Sequence, residues 1–286
     1  MTALTSAAPP AALPVDEPRA RFRDLLLAEW HKLLSLRSIR WGLLLGLLGL
    51  VFLNANAAIA DVNDWPHFTD AQREFFRPAG SLAAGFTNNA CIATLLIAGS
   101  LGAVALVSEY ATGQIRTSFA AVPARRALLS AKIAVLTVVM LGFGVLATGV
   151  SFFVSQAILS GRRAGISITE PGIWRALLAS SLLPAVCALT GLGLAALVRH
   201  SAATVVTTTT VLLLVPNFLS QNHHWSACLY HATPFRAWQE LHELVGLPPN
   251  PNITFPAQPA GEWLVYLAWA AGGALAALFF GTRRDV

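Results

Sequence analysis

The chain has 286 residues, of which 55% are hydrophobic and only 12% are charged, and its mean hydropathy is +0.61. A soluble domain of this length has about a quarter of its residues charged, so the composition argues against a soluble domain and indicates a protein whose main solvent is a lipid bilayer. The formal net charge of +5 has to be located along the chain before it can indicate nucleic acid as a partner.

The N-terminal region predicts two elements ahead of the first membrane span. Residues 1–18 are rich in proline and alanine and lack the basic start and apolar core of a signal peptide, so they predict a disordered cytoplasmic tail. Residues 19–40 predict an amphipathic helix lying in the inner membrane interface, and a cytoplasmic extension of the first span is the alternative. Its apolar positions recur at helical spacing: Phe22, Leu25, Leu26, Trp30, Leu33 and Leu34.

Six uncharged stretches are long enough to cross roughly 30 Å of hydrocarbon as helices, which takes about 20 residues. They are 41–60, 82–107, 133–159, 176–198, 202–220 and 263–281. Backbone polar groups in lipid must be bonded internally, and no strand-like alternation occurs in these stretches. We therefore expect an all-α integral membrane protein, with its six-span domain over 41–286.

The basic residues predict the orientation of these spans. Thirteen of the 19 Lys and Arg residues fall in segments that are cytoplasmic if the N-terminus is inside, which predicts that both termini are cytoplasmic. Only the loop after the third span, with Arg162, Arg163 and Arg175, disagrees with this bias. The positive charge is thus assigned to the inner leaflet, and no nucleic-acid partner is expected.

The segment between the second and third spans, EYATGQIRTSFAAVPARR, predicts a short amphipathic helix. Ile115, Phe119 and Val122 form one apolar ridge at helical spacing, Gly113 permits a bend before it, and Pro123 disfavours its continuation. Such a helix suits docking into a groove of another protein. A surface helix that only reverses the chain is the alternative.

Polar residues elsewhere have weaker signals. Asn54, Asn88, Asn89 and Asn217 lie within the predicted spans, where they would bond neighbouring helices or line a substrate path. The predicted spans contain no ionisable residue, which argues against a proton- or ion-coupled carrier.

The outer segments predict one further helix and no metal centre. Thr233 and Pro234 are typical of a helix start, and Gly246 of its end. The stretch NHHWSACLYH carries His223, His224, Cys228 and His231, whose spacing matches no standard metal site, so an interfacial loop is the preferred interpretation.

Two short motifs carry a resemblance to a known family. The first is E-W-x-K-L-x-S-x-R-S, which begins at Glu29, and the second is E-Y-x-x-G-x-I-R, which begins at Glu109 and is followed by Pro123, Arg126 and Lys132. With the six-span plan, they make the chain resemble a membrane permease of the ABC-2 transporter type common in actinobacteria. The resemblance implies a subunit of the bacterial plasma membrane that works with a separate ATPase and a second permease copy.

The same resemblance implies roles for the motif residues. The interfacial helix, with Glu29, Trp30, Lys32 and Arg37, would contact the ATPase together with a coupling helix. The coupling residues would be Glu109, Gly113, Ile115, Arg116, Phe119, Val122 and Arg126. ATP and magnesium would bind the partner, because the sequence contains no G-x-x-x-x-G-K-[ST] phosphate loop and this chain is not expected to be an enzyme.

Export of a small molecule, drug, antibiotic, lipid or peptide is the function that the resemblance implies. The alternative is a non-transporting membrane sensor or immunity protein that binds a ligand through its outer loops. It would need no docking helix and no ATPase partner.

Overall fold

The computed structural model describes residues 21–122, 124–219, 223–242 and 259–283, and every regular element in these ranges is helical. The all-α prediction is therefore confirmed for them. The predicted tail at 1–18, Pro123 and the predicted helix end at Gly246 lie outside the described residues.

The helices in chain order are α1 (Phe22–Ser35), α2 (Arg37–Asp64), α3 (Asp70–Phe75), α4 (Ser81–Gly85), α5 (Asn88–Ala111), α6 (Gln114–Ala121), α7 (Arg125–Ser160), α8 (Ile173–Val198), α9 (Ser201–Thr209), α10 (Val215–Asn217), α11 (His224–His231), α12 (Pro234–His242) and α13 (Pro259–Arg283). A 3₁₀ turn, Trp65–His67, follows α2, and π-helical turns precede α4 and α10.

Five helical stretches in the described residues are long and apolar enough to span a membrane: Arg37–His67, Ser81–Ala111, Arg125–Ser160, Ile173–Val198 and Gly261–Arg283. The predicted span at 202–220 corresponds to the shorter apolar stretch Ser201–Asn217, which a π-helical turn interrupts. Large apolar side chains of α2 and α7 remain exposed, including Phe52 and Phe153, as expected for surfaces that face lipid.

The long helices extend beyond the predicted spans and take in charged residues. The end of α5 includes Glu109, the start of α7 includes Lys132, and the end of α2 includes Asp61 and Asp64. The predicted spans themselves contain no Asp, Glu, Lys, Arg or His, but the helices that include them are longer and carry these charges at their ends. An α-helix continues wherever its backbone bonds are satisfied, so the uncharged stretch marks only its middle.

The first predicted helix is also divided differently. α1 ends at Ser35, Leu36 has an extended backbone, and α2 begins at Arg37. Arg37 therefore belongs to the start of the first long helix, and only 22–35 form the separate helix.

Helix α8 lies at the centre of the bundle, where α5, α7 and α13 pack against it. Glycines allow the closest approaches. A Cβ atom at Gly102 of α5 would lie 2.0 Å from the Ala188 carbonyl oxygen, and one at Gly144 of α7 would lie 2.0 Å from that of Ser181. Small residues at such crossings let helix backbones come together, which is how apolar helices associate in lipid.

The antiparallel order gives the bundle two ends. We call the end where α5 finishes and α7 begins the α6 end, and the opposite end, where α12 packs over α8, the α12 end.

Candidate functional site

The buried face of α1 carries an acidic residue between two leucines. Leu25, Glu29 and Leu33 follow one another at spacings of four, and all three are buried. Residues four apart lie one above the other on a helix, so Glu29 points into the molecule with its apolar neighbours. The helix packs this face against α7.

Four charged side chains meet there in one cluster. The Lys132 ammonium contacts Glu29, and it donates to Glu109 Oε1 at 2.7 Å. The Lys32 ammonium lies 2.5 Å from the same Glu109 oxygen and 3.3 Å from Glu29 Oε1. Each lysine therefore contacts both carboxylates. We call these four residues the ionic cluster.

Burial makes this pairing essential. The side chain of Lys132 is 4% exposed, whereas that of Lys32 is 19% exposed. A charge removed from water is tolerated only when it is paired and hydrogen-bonded. Two cations facing two anions meet this requirement. They join α1, α5 and α7, and separating these helices would leave buried charges unpaired.

The ionic cluster unites the two sequence motifs. Glu29 and Lys32 come from the first motif, and Glu109 and Lys132 from the second and the segment after it. Each motif was predicted to contact a separate ATPase, and contact between the two motifs was not predicted. The position of Glu29 on the Leu25–Leu33 stripe was the signal that could have found this contact.

The predicted coupling helix exists as α6, but its apolar ridge faces inwards. Gly113 has φ of +70°, a left-handed conformation that favours glycine, and turns the chain into α6. Ile115 and Phe119 are then buried in the same core cluster as Leu25 of α1. The prediction that this ridge is free to enter a groove of another protein is therefore wrong.

The exposed face of α6 carries the other residue types. Arg116, Thr117 and Ala120 are exposed, whereas Val122 lies just beyond the helix and packs partly against the core. Arg126 and Arg37 are exposed nearby in the first turns of α7 and α2. Trp30 is 39% exposed on the outer side of α1.

Arg199 connects further helices at the α6 end, and no sequence pattern predicted this contact. Its Nη2 donates to the Phe280 carbonyl of α13 at 2.9 Å, and its guanidinium lies 4.9 Å from the Tyr110 ring centroid. The arginine therefore joins the last turns of α5 and α13.

The predicted pathway residues are separated. Asn54 is buried, and its Oδ1 accepts from the Thr87 backbone N–H and hydroxyl, both at 3.0 Å. Asn88 begins α5 and accepts from Gln239 Nε2 of α12 at 3.2 Å. Asn89 and Asn217 are exposed. The structure thus brings only Asn54 and Asn88 to one region, on either side of Thr87.

Two adjoining cavities occupy that region. The inner cavity, of about 40 Å³, lies between α2, α5, α7 and α8. The outer cavity, of about 190 Å³, lies between the start of α5 and α12. Phe86, Thr87 and Trp238 line both of them and form the partition between them.

Aromatic rings pack around this partition. Trp238 stacks on His242 with ring centroids 4.9 Å apart, and Phe86 meets His242 edge-on at 5.6 Å. The Trp238 Nε1 donates to Ser180 Oγ of α8 at 2.9 Å. Burial lowers the pKa of His242 to about 4, with a smaller contribution in the same direction from Arg175, while a hydrogen bond with the Leu82 backbone opposes it. His242 is therefore neutral at pH 7.

In the described ranges, no three His, Cys, Asp or Glu side chains come together as a set that could hold a metal ion. His224 Nδ1 and Cys228 Sγ lie 3.9 Å apart on α11.

No model of a known protein family matches the chain, and no curated protein is a significant match to it.

Proposed function

We propose that this chain is the six-span permease subunit of an ATP-driven ABC-2-type transporter in a bacterial plasma membrane. The observation that carries the proposal is the ionic cluster, in which Glu29, Lys32, Glu109 and Lys132 connect α1 to the helices on either side of α6. In this proposal Ser201–Asn217 forms the fifth span, both termini are cytoplasmic, and a second copy completes the transporter.

The packing of α6 supports a role in transmitting movement. Ile115 and Phe119 share one core with α1 and with the first turns of α7. Well-packed interiors move as units and do not deform continuously, so a push on α6 would shift the ends of α5 and α7 together. An ATPase would apply that push at the exposed face of α6, at Arg116, Thr117 and Ala120.

Basic residues around this face complement an acidic partner. Arg37, Arg116 and Arg126 are exposed at the α6 end, and the outer face of α1 with Trp30 would lie against lipid headgroups. ATP and magnesium would bind the ATPase. The cargo would be a small molecule, drug, antibiotic, lipid or peptide moved outwards.

The experiment is a mild-detergent purification of this chain from its host membranes, with mass spectrometry of the proteins that accompany it. Arg116→Glu alters only the exposed face of α6, and Arg162→Glu, an exposed site at the α12 end, is the matched control. We expect a phosphate-loop ATPase with the wild type and with Arg162→Glu, and its loss with Arg116→Glu. Absence of any ATPase under conditions that preserve other such complexes would reject the proposal.

A second function is favoured by a different observation, the two cavities beside α12. A membrane sensor or immunity protein would bind its ligand there and would need no ATPase. The same purification separates the two functions, since the sensor would be isolated without a phosphate-loop protein and would be unaffected by Arg116→Glu.

A further inference from the structure

The inner cavity is lined by polar groups that carry no charge. Among the described residues around it, the polar side chains are hydroxyls and one amide: Asn54, Thr87, Thr94, Thr148, Ser151 and Ser180. A buried site of this kind would penalise an ion, because it offers no opposite charge to replace the lost hydration. The lining therefore suits an uncharged polar group.

One of these hydroxyls has an unmet hydrogen-bonding need. Ser151 is buried, and within the described part of the chain its Oγ has no hydrogen-bond partner. By contrast, Thr94 donates to the Ala90 carbonyl at 2.8 Å. A buried polar group without a partner costs about 1–3 kcal/mol. Ser151 Oγ is itself closed off from the cavity surface, so a polar guest would gain this hydrogen bond once the serine side chain rotates towards it, whereas an apolar guest would not.

The partition beside this cavity belongs partly to α12. Trp238 lies on this helix, Pro234–His242 within the described residues. The helix is joined to α5 by the exposed contact between Asn88 and Gln239, and to α8 in part by the hydrogen bond from Trp238 to Ser180. Because Trp238 lines both cavities, displacing α12 would remove a wall that they share.

We propose that the inner cavity binds the uncharged, hydroxyl- or carbonyl-bearing end of a ligand that enters from the α12 side past Trp238. The inner volume of about 40 Å³ holds such a group or about two or three water molecules. The rest of the ligand occupies the outer cavity beside Phe86 and Trp238. The site is a property of this chain alone and requires neither the ATPase nor transport.

Cys91 supplies a reporter inside the cavity. Its thiol is free and buried, and the residue lines the inner cavity, whereas Cys228 is free and exposed and serves as the internal reference. The protein in lipid nanodiscs is treated with methanethiosulfonates that carry a 2-hydroxyethyl, ethyl, 2-trimethylammonioethyl or 2-sulfonatoethyl group. The cysteine sulfur forms a mixed disulfide and methanesulfinate leaves, and peptide mass spectrometry gives each rate at both cysteines.

We expect the hydroxyethyl reagent to modify Cys91 at least about tenfold faster than either charged reagent, after division by the rate at Cys228. Asn88→Ala, which removes the exposed contact with Gln239 at the edge of the outer cavity, should raise the Cys91 rate by about twofold to fivefold. Trp238→Ala should raise it further, and Ser151→Ala should abolish any preference for hydroxyethyl over ethyl.

Two results would overturn the proposal. Equal normalised rates for neutral and charged reagents would show that the lining does not select by charge. A Cys91 rate that is unchanged in Asn88→Ala and Trp238→Ala but raised in Leu50→Ala would place entry between α2 and α7, from the lipid. Because Asn88→Ala leaves the core intact, the test holds even if Trp238→Ala does not fold.

Discussion

At the α6 end, Lys132 is buried against two carboxylates, whereas the two cavities at the α12 end are lined by hydroxyls, amides and the neutral His242 imidazole. The charged side chains Arg236, Glu240 and Glu262 at that end line neither cavity. Both regions lie between long apolar helices. In the ionic cluster every charge is paired with an opposite one, whereas the inner cavity is lined by uncharged groups, of which the Ser151 hydroxyl has no hydrogen-bond partner within the described residues.

Paired charges hold together the helices that carry them, so these helices move as one unit. An uncharged cavity with an unpaired hydroxyl can bind a ligand. Under the proposals made above, the α6 end would carry mechanical coupling and the α12 end would carry ligand recognition.

The largest effect is expected when one charge is removed from the ionic cluster. Lys132→Met leaves two buried carboxylates with Lys32 as their remaining cluster partner, and we expect a loss of about 3–5 kcal/mol in the free energy of unfolding. Denaturant titration of the purified protein in detergent measures it.

The chain offers its own matched control, since Lys32 contacts the same carboxylates from a position more open to water. Lys32→Met should cost less than Lys132→Met, because the position that Lys32 leaves is open to water that can hydrate the carboxylates. Adding Glu109→Gln to Lys132→Met should recover part of the loss, because the remaining charges are again balanced. Equal costs for the two lysines would contradict a dependence on burial.

The neutral end should respond to pH through His242. Its folded pKa of about 4 lies below the value of about 6.5 for an exposed histidine. Between these values the unfolded chain binds a proton that the folded chain does not, so stability falls as pH falls from 6.5 to 4, by at most about 3 kcal/mol.

His242→Phe preserves the stacking on Trp238 and removes the titration. Melting temperatures from pH 7 to pH 4 should therefore fall more steeply in the wild type than in this variant. Parallel curves would assign the acid sensitivity to other groups.

A smaller loss is expected at the wall of the inner cavity. Asn54→Leu leaves the Thr87 backbone N–H and hydroxyl without their acceptor, which should cost about 1–3 kcal/mol. Asn89→Leu, at an exposed asparagine two residues beyond Thr87, should change stability by less than about 0.5 kcal/mol. Thermal unfolding of both variants at pH 7 makes the comparison, and a similar effect in each would show that the Asn54 bonds carry no special weight.

The sequence predicts the helical elements well because their signals are local. Uncharged stretches locate the middles of the long helices, Gly113 marks the bend before α6, and Thr233 with Pro234 marks the start of α12. Burial of the Ile115 ridge was not predicted, because a short amphipathic helix has the same apolar face whether it packs against its own chain or against a partner protein. The ionic cluster was missed because Lys132 lies 103 residues from Glu29, and no local pattern reports a contact at that separation.

The smallest expected difference is between two serines that line the same cavity. Ser180 accepts a hydrogen bond from Trp238 Nε1, whereas Ser151 Oγ has no partner within the described residues. Ser180→Ala should cost about 1–3 kcal/mol by leaving the indole N–H unpaired, and Ser151→Ala should be neutral or slightly stabilising. Calorimetry of both variants in the same detergent tests this. If Ser151→Ala instead destabilises by more than about 1 kcal/mol, the hydroxyl already has a hydrogen-bond partner in solution. The Ser151 hydroxyl would then be as fully paired as the charges of the ionic cluster.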